Sequence, residues 1–224
     1  MREIGRLHVL VGSARPIPGQ APASPARSTL EIARLAIQGG ADVIQLREKG
    51  ASTREWIETG RALVALAREH DVRLIVNDRV DVAIACDAHG VHLGRHDLPI
   101  LLAREMLGPD RVIGGSANSI EEAIAAERAG ADYVGIGPVR PTSSKEDAGD
   151  LVPLDDLRAL VAKLEIPIIA IGGIGPESAA EIMGTGVRGL AVIHAVNDAP
   201  DPTAATAGLR AIMERVLEER RYPW

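Results

Sequence analysis

One phrase recurs along this chain: Gly39-Gly-Ala-Asp-Val-Ile-Gln-Leu46, Ala129-Gly-Ala-Asp-Tyr-Val-Gly-Ile136 and Thr185-Gly-Val-Arg-Gly-Leu-Ala-Val192. Each time, a glycine suited to ending a helix runs directly into a short aliphatic stretch. Such a stretch lacks apolar–polar alternation, so both its faces must be covered, which is the condition of a parallel strand under helices. The rhythm of short apolar run and amphipathic segment persists from end to end. Strands are predicted at Leu7–Val11, Val43–Leu46, Val72–Val76, Val91–Leu93, Val112–Gly114, Tyr133–Ile136, Ile168–Ile171 and Leu190–Ile193. Helices are predicted between them, opened by Ser28, Ser52 and Ser119 and by Pro176 and Pro202. About eight such pairs in 224 residues predict an α/β fold, a single-domain (β/α)8 or TIM barrel near the lower end of its size range. A doubly wound open sheet is the rival, but its Gly-rich loop would follow the first strand, where this chain has Gly12-Ser-Ala-Arg-Pro16. Residues 12–28 hold four prolines and read as a long loop, its role as a lid left open.

Composition excludes several functions. A net charge of −6 argues against a nucleic-acid footprint, and aromatic residues at 2% leave no base-stacking platform. No apolar run reaches the ~18 residues of a membrane span, and the N-terminus is too charged for a signal peptide. The single cysteine, Cys86, sits in an apolar stretch and reads as a buried reduced thiol. A cytoplasmic protein is the expectation; a homo-oligomer is left open.

In a barrel, chemistry gathers where the strands end, because those ends share one face. The second strand ends in Gln45, Arg47 and Lys49, which alternate with Ile44 and Leu46 and so point the other way. Lysine is scarce, only Lys49, Lys145 and Lys163, and two of the three fall at predicted strand ends. The third strand ends in Asn77 and Asp78, the fourth in His92, Gly94 and Asp97, the fifth in Ser116 and Asn118. The sixth runs into Gly137-Pro-Val-Arg-Pro-Thr-Ser-Ser-Lys145, the seventh into Gly172-Gly173, the eighth into His194. Two anion sites follow: Arg47, Lys49 and Lys145 converging from separate loops, and free backbone amides after the seventh and eighth strands. Asp78 and Asp97 offer oxygens for Mg²⁺ shared with a phosphate, although each also reads as the N-cap of the helix behind it. His92 and His96 have zinc-like spacing but not on one helix face, so His92 reads as packing or a hydrogen bond. No nucleophile elbow or Cys/His pair is present.

Six motifs in register resemble thiamine-phosphate synthase: Gln45-Leu-Arg-Glu-Lys49, Asn77-Asp78, Gly90-Val-His-Leu-Gly-x-x-Asp97, Gly-x-Ser116, Gly137-Pro-x-x-Pro-Thr142-x-Ser-Lys145 and Ala170-Ile-Gly-Gly-Ile174. The likeness runs from about Leu7 to Val216. It implies a Mg²⁺-dependent transferase that joins 4-amino-5-hydroxymethyl-2-methylpyrimidine diphosphate to a thiazole phosphate. The products are thiamine phosphate and diphosphate, by a dissociative route. Carried over by motif, the stretch Gln45, Leu46, Arg47, Glu48 and Lys49, with Asn77, Ser116 and Lys145, faces the pyrimidine diphosphate. Within it, Glu48 points away and reads as structural. Arg47, Lys49, Ser116 and Lys145 carry the catalysis, and Asp78 and Asp97 the Mg²⁺. Thr142, Ser143, Ser144, Gly173, Ile193 and His194 face the thiazole phosphate. The pattern departs from that family at His8 (usually tyrosine), Asn118 (often histidine), Arg140 (aromatic), Ser144 (threonine) and His194 (serine). His194 is expected to crowd the thiazole phosphate and Arg140 to add a cation. The related thiazole tautomerase has histidine at the place of Pro138 and lacks Asp97. A catalytically silent phosphate-binding barrel is the third alternative.

Overall fold

The computed structural model describes residues 4–12, 27–142, 144 and 149–221. Most of the Pro-rich loop, together with Ser143 and Lys145, lies outside the described residues. The strands β1 (Leu7–Val11), β2 (Val43–Leu46), β3 (Arg73–Asn77), β4 (Gly90–Leu93), β5 (Val112–Ala117), β6 (Tyr133–Ile136), β7 (Ile168–Ile171) and β8 (Gly189–Val192) are all parallel. They close in sequence order, β8 pairing back to β1 through Leu7 and Leu190. The predicted barrel is the observed one.

Helices α1 (Thr29–Gln38), α2 (Thr53–Glu69), α3 (Val80–Ala85), α4 (Ile100–Leu107), α5 (Ile120–Arg128), α6 (Leu154–Val161) and α7 (Pro176–Met183) follow strands one to seven. Ser28, Ser52 and Ser119 each accept the amide three residues on, and Ser52 forms a full capping box with Glu55. Beyond β8 the chain makes a four-residue helix, α8 (His194–Asn197), before α9 (Pro202–Arg221). The sequence reading ran β8 one residue further and missed α8, because four residues are too few to show a helical period. It also stopped β5 three residues too early. Gly115, Ser116 and Ala117 do not look like strand, yet they pair with Val134, Gly135 and Ile136.

Side-chain alternation sorts the core into two parts. Ile44, Leu46, Leu74 and Val76 face the helices, packed with Ala33, Trp56, Leu63 and Val82. Leu10, Val43, Ile75, Val112, Tyr133 and Ile169 fill the barrel interior. The recurring phrase serves the strand starts as well. The Asp42 carboxylate accepts the amides of Arg6 and Leu7 at 2.8 and 2.9 Å and pairs with Arg210 at 2.7 Å. Asp132 accepts the Ile113 amide at 2.8 Å and pairs with Arg104 at 2.6 Å. Each aspartate therefore ties its own strand to the beginning of the strand before it. Burial pushes the Asp42 carboxyl up, but Arg210 and the two amides outweigh it and hold it below the ordinary range.

His8 lies inside the barrel, 1% exposed. Its Nε2–H donates to the Gly5 carbonyl at 3.1 Å, and Nδ1 has no partner. Burial is the main cause of its depressed pKa, about 4, partly offset by Gly5 and Asp42. The unfolded chain, with its imidazole near 6.5, binds a proton that the native state refuses between pH ~6.5 and ~4. Stability is therefore full above that window and falls as pH drops through it, by about 3 kcal/mol from His8 on order of magnitude. Burial lowers His89 in the same direction. Urea melts at pH 7 and 4.5 should show a shallower loss in His8→Leu than in the native sequence. Equal losses would show that His8 is not the acid-sensitive group.

Candidate active site

The C-terminal ends of the strands surround a cavity of about 710 Å³. From β2 it receives Gln45, Arg47 and Lys49, as alternation demands. Leu46 is fully buried against the helices, and Glu48 accepts the Thr29 hydroxyl at 3.0 Å. Neither side chain lines the cavity. That corrects their inclusion among substrate-facing residues: the motif is contiguous in sequence, but only every second side chain turns inward.

Gln45 and Asn77 are buried, at 3% and 7% exposure, where an uncharged amide costs far less than an ion. Arg47 reaches across the mouth to donate to the Ser144 carbonyl at 3.3 Å, joining the loop after β2 to that after β6. Thr142 and Ser144 are bonded to one another, the Thr142 hydroxyl accepting the Ser144 amide at 3.2 Å. Lys145 and Ser143 fall outside the described residues.

Asp78 and Asp97 both line the cavity, and neither caps a helix. The N-cap of α3 is Arg79 and that of α4 is Pro99, each without a side-chain cap bond. Asp78 instead sits in the left-handed region, φ +65°, its amide donating to the His92 carbonyl at 2.8 Å. Asp97 folds back to accept the Gly94 amide at 2.6 Å. Two carboxylates on one wall are hard oxygen donors of the kind Mg²⁺ takes when phosphate oxygens and water complete its shell. Among the described residues no group of three or more His, Cys, Asp or Glu could hold a metal without such help.

Across the cavity, Gly172 and Gly173 turn the chain at φ +97° and +64°. A Cβ on Gly173 would stand 2.4 Å from the Pro141 carbonyl, so only glycine fits where β7 gives way to α7. Ile193 and His194 complete this side. His194 opens α8, and its Nδ1 bonds Asp198 at 2.7 Å, which ties the ring down along that short helix. Arg140 pairs with Glu181 on α7 and does not line the cavity, so it adds no cation there. Sequence reasoning passed over two charged lining residues, Arg95 and Glu177, and weighed a third lining residue, His96, only as a zinc ligand. Arg95 and His96 carried a signal in their place just before Asp97. His92, read as packing or a hydrogen bond, bonds Tyr133 at 3.0 Å and Ser116 at 2.9 Å through its ring.

Known proteins of similar sequence share this architecture. The family model described as thiamine monophosphate synthase matches residues 17–196. A thiamine-phosphate synthase of Pyrococcus furiosus is 50% identical over 84% of this chain and 90% of its own. One from Moorella thermoacetica is 48% identical over the same shares. The solved thiamine phosphate pyrophosphorylase of Pyrococcus furiosus superposes with a TM-score of 0.82 at 45% identity, covering 95% of this chain and 96% of that one. A 3-hexulose-6-phosphate synthase, 18% identical with a TM-score of 0.63 over 93% of this chain and 99% of its own, shares the fold alone. With the family model and these relatives each spanning most of its length, the chain belongs to the thiamine-phosphate synthase family of enzymes.

Proposed function

We propose that this chain joins 4-amino-5-hydroxymethyl-2-methylpyrimidine diphosphate to a thiazole phosphate, breaking the methylene C–O bond to diphosphate and forming a C–N bond to the thiazole nitrogen. The observation that carries the reading is one cavity lined by Arg47 and Lys49, by Asp78 and Asp97 after β3 and β4, and by the glycine turn at Gly172-Gly173 with Ile193. Gln45 and Asn77, buried and uncharged, suit the pyrimidine ring. Arg47, Lys49 and Ser116, with Lys145, suit the diphosphate that must leave. Thr142, Ser143 and Ser144, with the backbone at Gly173, Ile193 and His194, suit the thiazole phosphate.

Charge accumulates on the departing diphosphate as the C–O bond lengthens. Donors already aimed at those oxygens stabilise that state more than the bound substrate, which is the condition for raising kcat. Asp78 and Asp97 are the residues that would hold Mg²⁺, and the ion when bound supplies further neutralisation of the diphosphate. The small-molecule substrates are the only partners this function requires. Among the described residues no helix is long and apolar enough to cross a membrane.

The test is direct. Purified protein with both substrates and Mg²⁺ should yield thiamine phosphate and diphosphate in equal amounts, and a chelator should stop the reaction until Mg²⁺ is restored. Asp97→Asn should raise the Mg²⁺ needed for half-maximal rate about tenfold, in keeping with the ~1.5–3 kcal/mol of a contact to a charged group. A folded protein that forms no product under these conditions ends the proposal.

A further inference from the structure

Three polar side chains form a line from the barrel interior to the cavity wall. The Tyr133 hydroxyl is 3.0 Å from His92 Nδ1, and His92 Nε2 is 2.9 Å from Ser116 Oγ. Tyr133 is 1% exposed and His92 8%. Two glycines carve the space. A Cβ on Gly114 would stand 2.2 Å from Tyr133 Cζ and 2.5 Å from His92 Nδ1. A Cβ on Gly135 would stand 2.9 Å from His92 Cε1. A line of rings that any side chain at either position would break is built into the sequence, not left over from packing.

The direction of the line follows from counting hydrogens. Among the described residues His92 is the sole hydrogen-bond partner of the Tyr133 hydroxyl. The neighbouring ring of His8 meets Tyr133 edge-on at 5.5 Å, and its own Nδ1 has no hydrogen-bond partner. If His92 Nδ1 carried a hydrogen, it would donate to the phenol oxygen, and the phenol hydrogen would be buried without an acceptor. That arrangement leaves a buried donor unsatisfied and is disfavoured, and a doubly protonated imidazole suffers the same defect. Burial also pushes the Tyr133 phenol well above its ordinary range, so it keeps its hydrogen. Tyr133 therefore donates to Nδ1, the hydrogen of His92 sits on Nε2, and Nε2–H donates to Ser116 Oγ.

We propose that Tyr133 is a positioning residue which, through the tautomer of His92, turns the Ser116 hydroxyl hydrogen into the cavity and makes Ser116 a donor to an anionic oxygen. With the opposite tautomer Ser116 would donate to His92 and face the cavity with lone pairs, which repel an anion. The serine's sign toward the ligand is thus decided two residues away, inside the barrel. This rests on the proposed reaction for its ligand, the leaving diphosphate, but not for its geometry.

Two measurements test it. In protein labelled with ¹⁵N-histidine, long-range proton–nitrogen correlations report the tautomer of each ring, His92 being identified by the signal lost in His92→Gln. The expected result is hydrogen on Nε2 and a bare Nδ1; hydrogen on Nδ1 in the native sequence overturns the proposal. In the second, Tyr133→Phe keeps the ring and is expected to lower kcat about tenfold, the scale of one buried hydrogen bond, with the KM for the thiazole phosphate unchanged. In a Ser116→Ala background the same substitution should change nothing, because the group it orients is gone. A loss that adds to that of Ser116→Ala marks a structural role and overturns the proposal. Absence of thiamine phosphate formation by the native sequence would sink the proposed reaction, and the tautomer measurement would still decide this inference.

Discussion

Replacing Arg47 by alanine is expected to lower kcat by about 10²–10³, the cost of removing one preorganised donor from a developing oxyanion. Stability should scarcely change. The guanidinium is only partly buried, and the hydrogen bond it donates to the Ser144 carbonyl is a long one, 3.3 Å. Arg47→Lys should restore part of the rate, since it returns the charge but not the planar fork that grips two phosphate oxygens at once. Steady-state kinetics on both substrates, with thermal melts as control, check this. A kcat within about threefold of the native value would remove Arg47 from the leaving-group site. Lys145→Ala is expected to behave in parallel.

The largest expected loss of stability is at a residue far from chemistry. Asp132 pairs with Arg104 at 2.6 Å while accepting the Ile113 amide, with the two side chains 17% and 22% exposed. Asp132→Ala leaves a half-buried guanidinium without its carboxylate and a strand amide without its acceptor. Breaking a buried pair from one side costs about 3–5 kcal/mol, and the partial exposure here discounts that to about 3. In a chain of this length the midpoint of thermal unfolding should fall by about 6–12 °C. The counterpart Asp42→Ala should cost less, because the Asp42 and Arg210 side chains are 29% and 30% exposed and more of the loss is made up by water. Melts of the two variants check both size and order. A change at Asp132 below about 1 kcal/mol would show that the clamp between strands adds nothing.

Much of the molecule could be read without coordinates. Aliphatic strands such as Ile168–Ile171 and capping serines such as Ser52 are local signals, and local signals survive folding unchanged. The inward set Gln45, Arg47 and Lys49 follows from alternation alone. Where local reading failed, contacts distant in sequence had decided. Gly115 and Ser116 are strand because β6 pairs with them. Asp78 and Asp97 have cap-like sequences, yet their loops leave them out of the caps of α3 and α4. Arg140 and His194, which depart from the family pattern, are held by Glu181 and Asp198.

The recurring Gly-Ala-Asp phrase marks the same boundary. By itself the sequence determined that a helix ends there and a doubly covered strand begins, because glycine conformation and unbroken hydrophobicity are properties of a few adjacent residues. Only the tertiary structure decided what the aspartate does, because its amide and guanidinium partners lie tens of residues or more away: 36 for Arg6 and 168 for Arg210 in the case of Asp42. The same holds for Tyr133, His92 and Ser116. Each is an ordinary residue in its own segment, and three strands had to close side by side before they could share one hydrogen-bonded line.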